Sequence, residues 1–240
     1  MCRFFKTFMK PKIQLIVDIK KDIENAKWFV NDGVFVEWFL PQDFQYILSK
    51  KFSTPERNKI ITEYTKHVHA EREGDIQKGV EQVQEQWSKI ESKFYELVDT
   101  IFKSHAWPQG KYIGYASVYL MFPRNIQEKT FYFPYTQRPI NPVSTIAHEM
   151  LHFIFFDYIQ KKLGIKENDS LKGKNKKYVW QVSETFNTVI ENWSPYKNIF
   201  SYSKKVKPYP GCEEMFTLMS KQWKKNQDIE SFLDAWLSRK

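Results

Sequence analysis

Thr145-Ile146-Ala147-His148-Glu149-Met150-Leu151-His152-Phe153-Ile154 is the stretch on which the reading of this chain turns. Asn141-Pro142 ahead of it is a helix start, and Gly164 stands just beyond Lys162, so the pattern predicts one helix from about 141 to 162. On such a helix His148 and His152 project from one face, close enough to hold a single ion, and neutral imidazole is a good zinc ligand. Glu149 is rotated from His148 by about 100°, which sets its carboxylate beside the ion, where a bound water would sit. Zinc lowers the pKa of such a water to about 7, and a neighbouring carboxylate can take its proton and later pass it to a leaving amine. Judged from the chain's own His and Glu usage, HExxH arises by chance in about one such sequence in a hundred.

In this segment the sequence resembles the zincin metalloproteases. Their extended signature asks for Thr or Val three residues before the first histidine, uncharged residues around both histidines and a hydrophobic residue after them; Thr145 to Ile154 meets each position. The resemblance covers roughly residues 115 to 192. A tetrahedral catalytic zinc site needs a third protein ligand. No histidine follows His152, and Phe155 and Tyr158 stand where a metzincin carries glycine and its third histidine. The resemblance therefore points to the gluzincin arrangement, in which a glutamate from a second helix faces the first. Ser183-Glu184-Thr185-Phe186-Asn187 lies inside the next expected helix, and Glu184 is the expected third ligand. Glu191, two turns later on nearly the same face but about 10 Å farther along the axis, is the alternative. Asp157 faces away from His148 on its helix, and Asp169 sits in a lysine-rich loop, so neither suits an aspartate ligand.

Two supporting roles stay open at this stage. Where the thermolysin-type pattern has an aspartate four residues after the ligand, this chain has Thr188, which leaves Asn187 or Glu191 to orient a histidine. A tyrosine or histidine usually stabilises the oxyanion in this family; Tyr178, Tyr196, Tyr202 and Tyr209 are the candidates. The resemblance implies a zinc-dependent peptidase with Zn²⁺ on His148, His152 and Glu184, Glu149 as the base, and a peptide or protein as substrate. The alternative is a zincin-fold metal-binding regulatory or interaction module without peptidase activity. Retention of Glu149 favours the enzyme, because holding a metal alone does not require it.

Composition frames these expectations. The 240 residues, 42% hydrophobic and 27% charged, suit a single globular domain with ample core. Its expected parts are a mainly helical portion (1–105), a metal-site core (106–195) and a helical C-terminal portion (196–240). The net charge of +9 raises nucleic acid or membrane as partners. With 31 Lys and 6 Arg, however, the bias is that of a solvated surface, since specific phosphate and base contacts favour Arg. No nucleic-acid partner is expected. Seven lysines against Glu167 and Asp169 in 161–177, and four lysines in 197–207, account for the whole excess. Both segments flank the expected Glu184 helix, where they would favour acidic peptides or a substrate's C-terminal carboxylate. Cys2 and Cys212 exclude a disulfide scaffold. The basic start, MCRFFKTFMKPK, is broken by Lys6 and Lys10 and carries no cleavage signal, and no run approaches about 18 apolar residues. A cytoplasmic protein with no membrane partner is expected.

The expected fold class is α+β, zincin-like: a small mixed sheet, a long backing helix, the HExxH helix and a glutamate-bearing helix. Lys12–Ile19 alternates as a strand; Trp28–Tyr46 shows no clear period. Ser53-Thr54-Pro55-Glu56 offers a capping box for a helix to about Ala70. Val80, Val83, Trp87, Ile90, Phe94, Leu97, Val98 and Ile101 form one buried stripe on a second helix reaching about Lys103. GYASVYLMF (114–122) and KTFYFPY (129–135) read as a hairpin, whose Phe131–Tyr135 strand would be the edge that receives an extended substrate. Helices follow from Tyr178 to about Trp193, after a basic segment, and from near Asp228. His67-Val68-His69 is discounted as a metal pair, because residues two apart on a helix diverge.

Overall fold

The computed structural model describes residues 9–32, 39–49, 51–137, 140–201 and 205–238; Met1–Phe8, with Cys2, and Tyr202 lie outside them. The protein is mixed α+β. In chain order the described elements are β1 (Ile13–Ile16), α1 (Ile19–Asp32), a 3-10 helix (Gln42–Leu48), α2 (Thr54–Glu71), α3 (Glu73–Ile101), β2 (Tyr112–Ser117), β3 (Arg124–Asn125) and β4 (Thr130–Pro134). Then come α4 (Pro142–Leu163), α5 (Tyr178–Glu191), α6 (Ser194–Phe200), α7 (Glu213–Lys225) and α8 (Ile229–Leu237). These divide into two compact units, one of Lys12–Ser88 and Gly110–Glu149, the other of Lys89–Gln109 and Met150–Lys240 with the segment ahead of Lys12. Among the described residues no helix is long and apolar enough to cross a membrane.

In the first unit the sheet has the order β1-β2-β4-β3. Its three strands β1, β2 and β4 are parallel, with Ile13 opposite Tyr112 and Tyr115 opposite Tyr132. The expected hairpin is therefore wrong in its pairing: β2 and β4 run side by side, and the antiparallel partner of β4 is β3, two residues long. Hydrogen bonds to residues far away in the chain account for the change. Asp22 accepts from Val118 N–H at 3.0 Å and Leu120 N–H donates to Phe39 O at 3.2 Å, so the chain leaves the sheet at Ser117. Tyr119 and Met121 then enter a core with Ala26, Val30, Phe44 and Ile61 instead of continuing a strand. The reversal falls later, where Asn125 Oδ1 accepts from the N–H groups of Gln127 and Glu128 and Lys129 takes a left-handed φ of 56°. β4 is consequently no free edge along Thr130–Phe131, which β3 covers.

The first strand is shorter than its alternation suggests, and a helix follows that the Trp28–Tyr46 reading overlooks. Asp18 Oδ1 accepts from the N–H groups of Lys20 and Lys21, so the chain turns helical at Ile19. Ile23, Ala26 and Val30 are the buried face of α1. Asp22 lies on the same face, fully buried, 2.9 Å from His69 Nε2 and 2.6 Å from Ser117 Oγ. His69 is thus a core residue, while His67 lies outside, 3.2 Å from Glu71.

Other expectations hold. Glu56 accepts from the Ser53 N–H at 2.8 Å at the start of α2. The stripe of α3 is buried at Val80, Val83, Trp87, Phe94, Leu97, Val98 and Ile101. Gly79 on this helix is pressed against the chain after β4, where a Cβ would come within 2.4 Å of Tyr135 O.

In the second unit Phe186 of α5 is ringed by Phe102, Phe155, Trp223 and Phe232 at centroid distances of 5.3 to 5.9 Å. Those rings come from four other segments and fix α5 in place. Pro195, just beyond the helix expected to end near Trp193, opens α6 in its first turn. Asp228 caps α8 by accepting from Ser231 N–H at 2.8 Å.

Candidate metal centre

Asn141 starts α4: its Oδ1 accepts from the Ser144 N–H at 3.1 Å. At the far end Gly164 adopts φ +64 and closes the helix onto the Gln160 carbonyl. Between these caps α4 is a continuous helix, so His148 and His152 are held one turn apart on one side of it. His152 is fully buried and stacks on Phe156, with ring centroids 6.1 Å apart.

α5 supplies the third group. It is buried almost all round, from Val182 to Glu191, although it carries Ser183, Glu184, Thr185, Asn187, Thr188 and Glu191. The threonines satisfy themselves within the helix: Thr185 Oγ donates to Gln181 O and Thr188 Oγ to Glu184 O. A buried carboxylate is costly unless it is paired or coordinates a metal. Glu184, only 7% exposed, has Oε1 at 3.4 Å from His152 Nε2. Ligand atoms of His148, His152 and Glu184 all lie within 4.8 Å of one another. Glu191 is equally buried but is not part of this cluster. Asp157 is engaged elsewhere, 2.7 Å from His105 and 2.8 Å from Lys161. Burial pushes its carboxyl up, but hydrogen bonds from His105 and Lys161 outweigh this and hold it below the usual range. Asp169 accepts from Lys166 N–H in its loop.

No family model, curated protein or solved structure matches this chain. The donor set is two imidazoles and one carboxylate, which suits a divalent transition metal such as zinc. Donors about 2.1 Å from a zinc ion at the tetrahedral angle are about 3.4 Å apart, the separation found between His152 Nε2 and Glu184 Oε1.

Two residues at the site carried no signal in the sequence reading. Ser183 Oγ stands 2.6 Å from His152 Nδ1, the nitrogen turned away from Glu184. This is the orienting position for which Asn187 and Glu191 were the candidates; the serine sits one residue before Glu184, and a search for acids passes over it. Arg124, between the two runs read as a hairpin, has Nη1 at 3.9 Å from Glu149 Oε2; Glu149 is buried and Arg124 nearly so. Only the path of the chain into β3 brings them together.

Of the tyrosines, Tyr178 carries the Lys174 ammonium 4.6 Å above its ring, Tyr196 stacks on Phe200 and Tyr209 packs edge-on against Trp180. Lys172, Lys174, Lys176 and Lys177 are exposed. Cys212 is buried, and that burial pushes its thiol up, as expected of a small core residue and not of a nucleophile.

Proposed function

We propose that this protein is a zinc-dependent peptidase of the gluzincin kind, with a zincin-like arrangement of its HExxH and glutamate helices. His148, His152 and Glu184 hold the metal, and Glu149 is the general base. The observation that carries this reading is the cluster of His148, His152 and Glu184, whose possible ligand atoms lie within 4.8 Å of one another, with His152 Nε2 and Glu184 Oε1 3.4 Å apart on two buried helices.

Zinc bound there would supply a Lewis acid that makes water nucleophilic near neutral pH and polarises a carbonyl. The protein's own residues do the rest. Ser183 Oγ accepts the Nδ1 proton of His152 and so presents Nε2 as the ligand atom. The Glu149 carboxylate accepts the proton of the attacking water and returns it to the leaving amine. Arg124, its Nη1 3.9 Å from Glu149 Oε2, sets a positive charge beside that carboxylate and favours its ionised form.

Two measurements test the proposal. Purified protein should contain about one zinc per chain, and Glu184→Ala should lack it. Glu149→Gln should keep the metal and lose hydrolysis of a mixed fluorogenic peptide library. Wild-type protein that takes up no zinc, or equal hydrolysis by both forms, refutes it.

A further inference from the structure

Lysines also gather around a recess that shares no residue with the metal centre. Lys221, Lys224 and Lys225 lie within little more than one turn of α7, and Lys205, from the segment before that helix, joins them around a recess of about 520 Å³. Phe216, Thr217 and Ser220 complete its lining, and no carboxylate is among the lining residues. Lys205 extends over the Phe216 ring, its ammonium 5.6 Å from the centroid. All four lysines are exposed.

Helix electrostatics explain only part of this grouping. Lys224 and Lys225 occupy the last turn of α7, where the helix dipole favours cations. Lys221 and Lys225 are four apart, a like-charge spacing that destabilises an isolated helix, and Lys205 adds a fourth positive charge from outside the helix. An anion in the recess relieves that repulsion. Its size falls within the range of about 300 to 1,000 Å³ common for small-molecule sites. Its polar lining is ammonium and hydroxyl groups. Lysines act as mobile point charges and do not present the planar fork that matches a single carboxylate.

We propose that this recess binds a compact polyanion bearing two or more phosphate groups, whether a free small molecule or the headgroup of a lipid. The proposal is independent of the peptidase reading.

The test uses the full chain at low salt. Tripolyphosphate should bind saturably by calorimetry, more weakly as salt screens the charges. Lys221→Gln/Lys224→Gln should weaken binding by about tenfold or more, a loss of about 1.4 kcal/mol, with an unchanged Tm. The control Lys59→Gln/Lys66→Gln, on α2, should bind as wild type does. Sedimentation with vesicles separates the sources. Capture by phosphatidylinositol bisphosphate vesicles but not by phosphatidylserine vesicles, abolished in the recess variant, assigns a headgroup. Tripolyphosphate binding without capture assigns a soluble ligand. Failure of both probes to bind, or an equal loss in the control variant, overturns the proposal.

Discussion

Ser183 Oγ lies 2.6 Å from Nδ1 of His152, and Glu184, the next residue on the same helix, approaches the other nitrogen of that ring at 3.4 Å. One turn of α5 therefore grips both ends of a buried imidazole. If Ser183 orients a zinc ligand, Ser183→Ala should fold normally and bind zinc about tenfold or more weakly, as read by competition with a chromophoric chelator. Unchanged zinc affinity would remove Ser183 from the site.

Glu184 and Glu191 are both buried on α5, and it is Glu184 that forms a cluster with His148 and His152. The isosteric Glu184→Gln should lose zinc on dialysis against a chelator at a concentration that leaves wild type loaded. Glu191→Gln should retain it. The reverse pattern by elemental analysis would transfer the third-ligand role to Glu191.

Two glycines of α3 should respond to alanine with opposite signs. At Gly74 a Cβ meets nothing within 4 Å, so Gly74→Ala should stabilise by up to about 1 kcal/mol through helix propensity. At Gly79 the same Cβ would sit 2.4 Å from Tyr135 O, a backbone atom that cannot swing aside. Gly79→Ala should cost about 1 to 3 kcal/mol despite the better propensity. Urea unfolding of the two variants checks the contrast, and stabilisation by both would show that α3 is not pressed against the end of β4.

Asp228 accepts from Lys103 and from the Ser231 N–H, which together hold its carboxyl down at about 2 against an ordinary 3.8. A depressed carboxyl contributes stability that is complete above its unfolded value and is lost as pH falls through its folded value. Asn caps a helix about as well as Asp, so Asp228→Asn isolates the charge. Wild type should melt above the variant by a constant margin near neutral pH, and that margin should shrink between about pH 4 and pH 2. A margin that persists undiminished at the acid end would rule out the ionic contribution.

The histidine pair of the candidate centre was legible in the sequence, and so were the helices around it. His148 and His152 share a helix face because of α-helical pitch alone, and Asn141, Ser53 and Asp228 mark helix starts through contacts within three residues. The apolar stripe from Val80 to Ile101 reports burial for the same reason of period. Where local rules failed, a distant contact had won. The run 114–122 has the composition of one long strand, but Asp22, 96 residues before Val118, ends it at Ser117.

What the sequence by itself determined is thus helices α2 to α5 and the closing pair α7 and α8, the α+β class, and a pair of histidines with a carboxylate beside them. Each depends on residues within about a turn of one another, where backbone geometry leaves few choices. Only the tertiary structure decided the parallel order of β2 and β4, the meeting of His152 with Ser183 across 31 residues, the approach of Arg124 to Glu149 and the gathering of lysines beside α7. Those arrangements join side chains whose spacing along the chain carries no period. They follow from where the buried rings around Phe186 and the hydrogen bonds of Asp22 hold the backbone, and no local pattern encodes that.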